Sequence, residues 1–198
     1  DRSSAASDVY KRQVRMIRYS HDEFHGHRPD GRRYHALNPD VFFCEHATYV
    51  DALFMCVDVF FGGLTEPMRE QLYAETCEWY RRFGISSRVM PTTVVEFDEY
   101  FAHALATELD PDPGLAWYRD QLLRPDYWLF KKLPTAAVRA IQHPVAAEHL
   151  GISVSEGDRR SLHRYAARLS ALDTVVPTRN IWPNEVRDRV IAARRSAR

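Results

Sequence analysis

The chain has no surplus charge of either sign. Lys+Arg and Asp+Glu both number 27, so the formal net charge is zero. A balanced chain has no global electrostatic attraction to nucleic acid or to an anionic membrane, and neither partner is expected. Cysteine is scarce: Cys44, Cys56 and Cys77, with no Cys-x-x-Cys pair. An odd count in helical stretches points to small core side chains in a reducing, cytoplasmic setting rather than a disulfide framework. Long apolar runs are missing as well. The longest, Val41 to Leu64, is interrupted by Glu45, His46, Asp51 and Asp58. Charges at that spacing are costly in lipid, so a buried helix is expected there and not a membrane span. No signal-peptide pattern is visible, and no segment alternates with the two-residue period of a strand. GxGxxG, Walker and GxSxG loops are absent, which removes the motif basis for dinucleotide, P-loop and serine-hydrolase chemistry. The arginines of "RDRVIAARRSAR" at the C-terminus read as a solvated helix face or tail.

What is present is helical period. With 198 residues, 45% hydrophobic and 27% charged, the chain can bury one sizeable core. Apolar positions recur at helical spacing from Val14 to about His25. After the loop "GHRPDGRR", Asn38 caps a helix with Pro39 at its first position; it runs to Gly62-Gly63, roughly 34 Å at 1.5 Å per residue. Thr65 caps the next, which ends at Gly84. "TVVE", Thr93 to Glu96, is a capping box. Shorter helices are expected at 113–123 and 134–141, broken by Pro125, Pro134 and Pro144. Ser155 caps another, and Pro183 starts a last one. The fold class is therefore all-α, a single multi-helix domain.

Five of the nine histidines (His21, His25, His27, His35, His46) fall between Ser20 and Phe54. On a wheel of about 100° per residue, His46 sits in a stripe of Phe42, Tyr49, Leu53, Val57 and Phe60. His21 lies between Val14, Ile17 and Phe24, while Arg15, Asp22 and Glu23 point away. Both imidazoles are thus aimed inward, where an imidazole must hydrogen-bond, bind metal or ionise a neighbour. His27 and His35 belong to the polar loop. A lone histidine on an apolar face is more often a hydrogen-bonded core residue than a ligand; two on neighbouring helices bring a ligand role level. His21-x3-His25 also has the i, i+4 spacing of a zinc-binding helix, with His46 or a carboxylate as third ligand. It lacks the Glu that zincins place directly after the first His. His103, His143, His149 and His163 have no grouping of acids or cysteines that would suggest a site and read as structural or surface residues.

"VRMIRYSHDEFHG" followed by "GRRYHALNPDVFFCEHATYVD" resembles the MpaB-type oxygenase family, which includes the latex-clearing protein and many actinobacterial members. Family members carry His-x4-Gly at the end of one helix, a Tyr-x-Ala/Leu-x-Asp/Asn-Pro start to the next and a Trp-Val-His-Ala-like centre. Here these are His21 and Gly26, Tyr34 with Asn38-Pro39, and "CEHAT" holding His46; Cys44 stands where tryptophan is common. The resemblance continues through "YAETCEWYRRFGI", "MPTTVVEFDEYF", "LPTAAVR" and "VPTRNIWPNEVRDRV", over Val14 to Val190. It implies a b-type haem in a helical fold, an axial histidine, dioxygen, and a hydrophobic substrate such as an isoprenoid. His21 takes the axial role, with His46 as the alternative ligand. The Val-Arg to His21 interval is longer than the family pattern.

The resemblance also places distal residues, an Arg and a Thr among them, on a helix upstream of the axial histidine. Nothing upstream of Val14 supplies them. Asp8–Gln13, "DVYKRQ", is what GAT-GTG-TAT-AAG-AGA-CAG encodes, a string that resembles a transposon end used to build sequencing libraries. Residues 1–13 are accordingly expected to be adapter-derived and non-native. Residues 14–198 form the oxygenase-like domain of an N-terminally truncated metagenomic fragment whose catalytic residues on the distal side are unknown. Two readings from other classes stand beside this one: a cofactor-free helical binding or scaffold protein, and a His-ligated metal hydrolase.

Overall fold

Proline, glycine and capping side chains set the helix ends of this chain. The computed structural model describes residues 2–28, 30–109, 114–126 and 130–175. In order these form α1 (Arg2–Asp22), β1 (His25–His27), β2 (Arg33–His35), α2 (Pro39–Phe61), α3 (Glu66–Arg82) and α4 (Val94–Thr107). Then come α5 (Leu115–Leu123), a 3-10 turn at Phe130–Lys132, α6 (Thr135–Ala140), α7 (Pro144–His149) and α8 (Glu156–Val175). The helix expected from Pro183 lies outside the described residues.

Asn38 begins α2 as its sequence implies. Its side-chain oxygen accepts from the Asp40 N–H at 3.1 Å, and its carbonyl accepts from Phe42 at 2.8 Å. Thr93 accepts from the Glu96 N–H at 3.2 Å, but Glu96 reaches back to Thr92 at 2.7 Å, one residue before the reciprocal position of a strict capping box. Ser155 and Asp158 cap α8 reciprocally: the Ser155 hydroxyl accepts from the Asp158 N–H at 3.2 Å, and the Asp158 carboxylate accepts from the Ser155 N–H at 2.9 Å. Thr65 occupies the N-cap of α3 without a side-chain cap bond. Pro144 opens a helix instead of only breaking one, with His143 Nδ1 accepting from the Val145 N–H at 3.3 Å.

The described residues group into two compact units, one within Asp1–Asp58 and Gly63–Asp110, the other within Val59–Gly62 and Pro111–Arg198. In the second, α6 packs on α8 through small residues such as Ala137 and Ala166. There Arg139 also pairs with the buried Asp158. The Arg139 guanidinium and the Ser155 hydroxyl and N–H hold the Asp158 carboxyl far below the usual range.

The first unit is built on rings. Phe43, Val50, Tyr73, Tyr80 and Phe97 are its largest fully buried side chains, each contributing about 2–3 kcal/mol of hydrophobic stabilisation. Tyr73 donates to the Pro91 carbonyl at 2.9 Å and Tyr80 to the Ser86 carbonyl at 3.2 Å. Burial raises both phenols, that of Tyr80 to about 12, so they are packing groups with satisfied tips.

Several expectations change here. The described residues are all-α except for an antiparallel hairpin pairing His25 with His35, Gly26 with Tyr34 and His27 with Arg33. Three-residue strands are too short to show an alternating pattern. α1 extends from Arg2 and stops at Asp22, so Phe24, past its end, is exposed instead of inward. On α2 the buried face is Phe42, Phe43, His46, Ala47, Val50 and Phe54. Tyr49 and Leu53, expected in the core stripe, are exposed. Apolar residues surround α2 almost completely, so its own pattern does not choose a face; packing against α3 and α4 does. Of the cysteines, Cys77 is buried, while Cys44 and Cys56 are half-buried.

Candidate functional site

Arg18 fixes α1 against the end of α3. Its guanidinium donates to the Phe83 carbonyl at 2.9 Å and to that of Gly84 at 3.2 Å. Those carbonyls are free because α3 stops there, turned by Gly84 at φ 67°. A Cβ on Gly84 would meet Arg18 Nη1 at 3.0 Å, so glycine serves both the turn and the docking. One turn further along α1 lies His21.

His21 and His46 come together. They line one cleft of ≈ 310 Å³ with Ile17, Phe42, Glu45, Tyr49, Trp79 and Phe83, near the low end of small-molecule pockets. The walls are aromatic. Phe42 meets the His21 ring at 5.5 Å and Phe83 at 5.4 Å, and Trp79 meets His46 at 5.1 Å and Phe83 at 5.8 Å. Tyr49 and Trp79, both exposed, sit 6.2 Å apart at the mouth.

The two imidazoles are in different states. His46 is 4% exposed. Burial lowers its pKa to about 4, only partly opposed by a hydrogen bond to the Thr76 backbone, so it is a neutral imidazole at pH 7. His21 is partly open to water. Its Nδ1 lies 2.9 Å from the Ile17 carbonyl and its Nε2 lies 3.3 Å from Glu45 Oε2. The carbonyl can only accept, so Nδ1 carries a proton. Nε2 is thereby left as the nitrogen aimed at the cleft, either protonated toward Glu45 or bearing a lone pair for a metal.

The zinc spacing is not realised. α1 ends before His25, which sits on β1 with Nδ1 3.0 Å from the Asp22 carbonyl. His27 is exposed; His35 is half-buried on β2, with Nε2 3.1 Å from Asp22 Oδ1. Among the described residues, no three His, Cys, Asp or Glu side chains converge as a metal cluster. Gly26 faces Tyr34, whose ring would lie 3.1 Å from a Cβ there, which explains why this turn after the helix takes glycine.

Sequence reasoning missed Glu45, Trp79 and Phe83. Glu45 carries no sequence signal of its own, and only the approach of α1 brings it to His21. Trp79 and Phe83 stand at i, i+4 on the α3 side of the cleft, a spacing visible in "WYRRF" but without meaning until α1 and α2 are placed.

A donor imidazole held by a backbone carbonyl, a second buried neutral imidazole and an aromatic wall fit a planar tetrapyrrole bound through one axial nitrogen. At ≈ 310 Å³ the cleft would enclose only part of such a ring, with Tyr49 and Trp79 in edge contact at its rim.

Helical elements enclosing an aromatic cleft with inward imidazoles define a helical small-molecule domain. The family model described as ER-bound oxygenase mpaB/B'/Rubber oxygenase, catalytic domain, matches residues 5–171, and the chain belongs to that family. The matched range takes in the first unit and reaches into α8 of the second. No curated protein and no solved structure matches the chain. Among the described residues no helix is long and apolar enough to cross a membrane.

Proposed function

We propose that the α1–α2–α3 cleft is the pocket of a haem b-dependent oxygenase acting with dioxygen on a hydrophobic substrate, an isoprenoid being the class the family suggests. His21 would hold the haem through its Nε2 nitrogen. The observation that carries this reading is the His21 ring, oriented by the Ile17 carbonyl through Nδ1 so that Nε2 faces Glu45 on the lining of the aromatic cleft. Bound there, haem b would supply the open coordination position at which dioxygen is activated.

The chain's own residues do the rest. Phe42, Trp79 and Phe83 exclude water and favour an apolar ligand. His46, neutral and held by Thr76, forms the inner wall and is the alternative ligand. Glu45, whose Oε2 lies 3.3 Å from His21 Nε2 and whose side chain is 45% exposed, would turn to water where His21 held the group.

A cofactor-free helical binding protein is the competing reading. Its support is that His46 is already hydrogen-bonded and ringed by Phe43, Trp79 and Tyr80. Protein loaded with haem separates the two by its Soret band. His21→Ala is expected to abolish a ligated Soret band and His27→Ala to retain it. Retention in His21→Ala would move the ligand to His46; absence from the wild-type chain would leave the cofactor-free reading.

A further inference from the structure

The hairpin holds three histidines that the cleft does not use. β1 and β2 pair His25 directly with His35. Backbone hydrogen bonds join Phe24 to Ala36 and Arg28 to Arg32, so the alternating ladder leaves His25 and His35 as a pair without mutual backbone bonds. That is the pairing in which cross-strand side chains lie closest. Their rings are 6.0 Å apart at 65°.

Each ring already has one nitrogen held, and by the same residue. His25 Nδ1 lies 3.0 Å from the Asp22 carbonyl, and His35 Nε2 lies 3.1 Å from the Asp22 carboxylate. A neutral imidazole that donates through one nitrogen carries its lone pair on the other. His25 Nε2 and His35 Nδ1 are therefore the lone-pair positions, and neither has a protein partner among the described residues. Carboxylate or carbonyl on one imidazole nitrogen with metal on the other is the recurrent outer arrangement of histidine metal sites.

We propose that this pair binds one divalent first-row transition ion, of the imidazole-preferring kind typified by Cu(II) and Zn(II). His25 Nε2 and His35 Nδ1 are its ligands, Asp22 orients both rings, and water completes the shell. The cleft of ≈ 450 Å³ whose lining includes Asp22, His25, His27, Arg33, Tyr34 and His35 has room for the ion and its waters. His27 shares the face; Arg33, paired with it across the strands, lines the same cleft and, being exposed, has to keep its guanidinium in water when the ion binds. Such an ion would staple a hairpin whose three-residue strands are marginal by themselves. None of these residues lines the His21–His46 cleft, so the site stands or falls independently of haem binding.

The test uses the full chain without a histidine tag, titrated with Cu(II) by calorimetry and followed by electron paramagnetic resonance. One equivalent is expected to bind with hyperfine structure from two imidazole nitrogens. Zn(II) is expected to compete for it. Asp22→Ala should weaken binding about tenfold, and His25→Ala or His35→Ala by more, with loss of the two-nitrogen signal. The double variant His21→Ala/His46→Ala should bind copper as the parent does. Far-UV circular dichroism checks that each variant is folded, which the exposure of the hairpin residues favours. Unchanged affinity and signal in folded His25→Ala and His35→Ala would overturn the proposal. So would loss of copper binding in the cleft double variant alone, or in His27→Ala with His35→Ala unaffected.

Discussion

The cleft and the hairpin draw on histidines from one short stretch of chain and treat them oppositely. In the cleft, His46 is stripped of water and kept neutral, and His21 is held through one nitrogen beside apolar rings. In the hairpin, His25, His27 and His35 remain open or half-open, and Asp22 is the polar neighbour of His25 and His35. Residue type does not separate the two groups. What separates them is where α1 ends: His21 is on its last turn, docked by Arg18, and the side chains of Glu23, Phe24, His25 and His27 that follow turn outward.

If the cleft is the rigid, desolvated region, changes around it should cost far more than changes on the hairpin. Phe43→Ala empties a fully buried ring site beside His46 and should lower unfolding free energy by about 3–5 kcal/mol, read from urea midpoints. The burial of His46 should give stability a specific pH dependence. Its folded pKa, about 4, lies below the ordinary 6.5, so between those values the unfolded chain binds more protons. Stability is then fullest above pH 6.5 and falls as pH drops toward 4, by at most about 3 kcal/mol. His46→Phe should flatten that segment of the profile, and an unchanged slope would show that His46 is not desolvated. On the hairpin, Gly26→Ala presses a methyl group on the Tyr34 ring, which is exposed enough to shift; roughly 1 kcal/mol is expected from thermal melts. His27→Ala should change stability by no more than about 0.5 kcal/mol. A hairpin variant more costly than Phe43→Ala would reverse the contrast.

Helix ends were the most legible part of the sequence because caps are local. Asn38 with Pro39, Thr93 with Glu96, and Ser155 need only their own neighbours to act. That His21 and His46 lie on an apolar side of their helices was legible too, although Phe24, Tyr49 and Leu53, which helped to suggest it, are exposed. The face of α2 was not, because Leu53, Phe54 and Met55 point in three directions and all are apolar. The zinc-like spacing of His21 and His25 misled because i, i+4 has meaning only inside a helix, and α1 stops between them.

The sequence alone determined the all-α class, most helix boundaries, the resemblance to an oxygenase family, and the two histidines turned inward. Tertiary structure decided that His21 and His46 share one cleft, that Glu45 meets His21, and that Trp79 and Phe83 complete the wall. The reason is range. Caps and periodicity act over a few residues of chain, whereas a cleft exists only where α1, α2 and α3, far apart in sequence, pack side chains of fixed shape against one another.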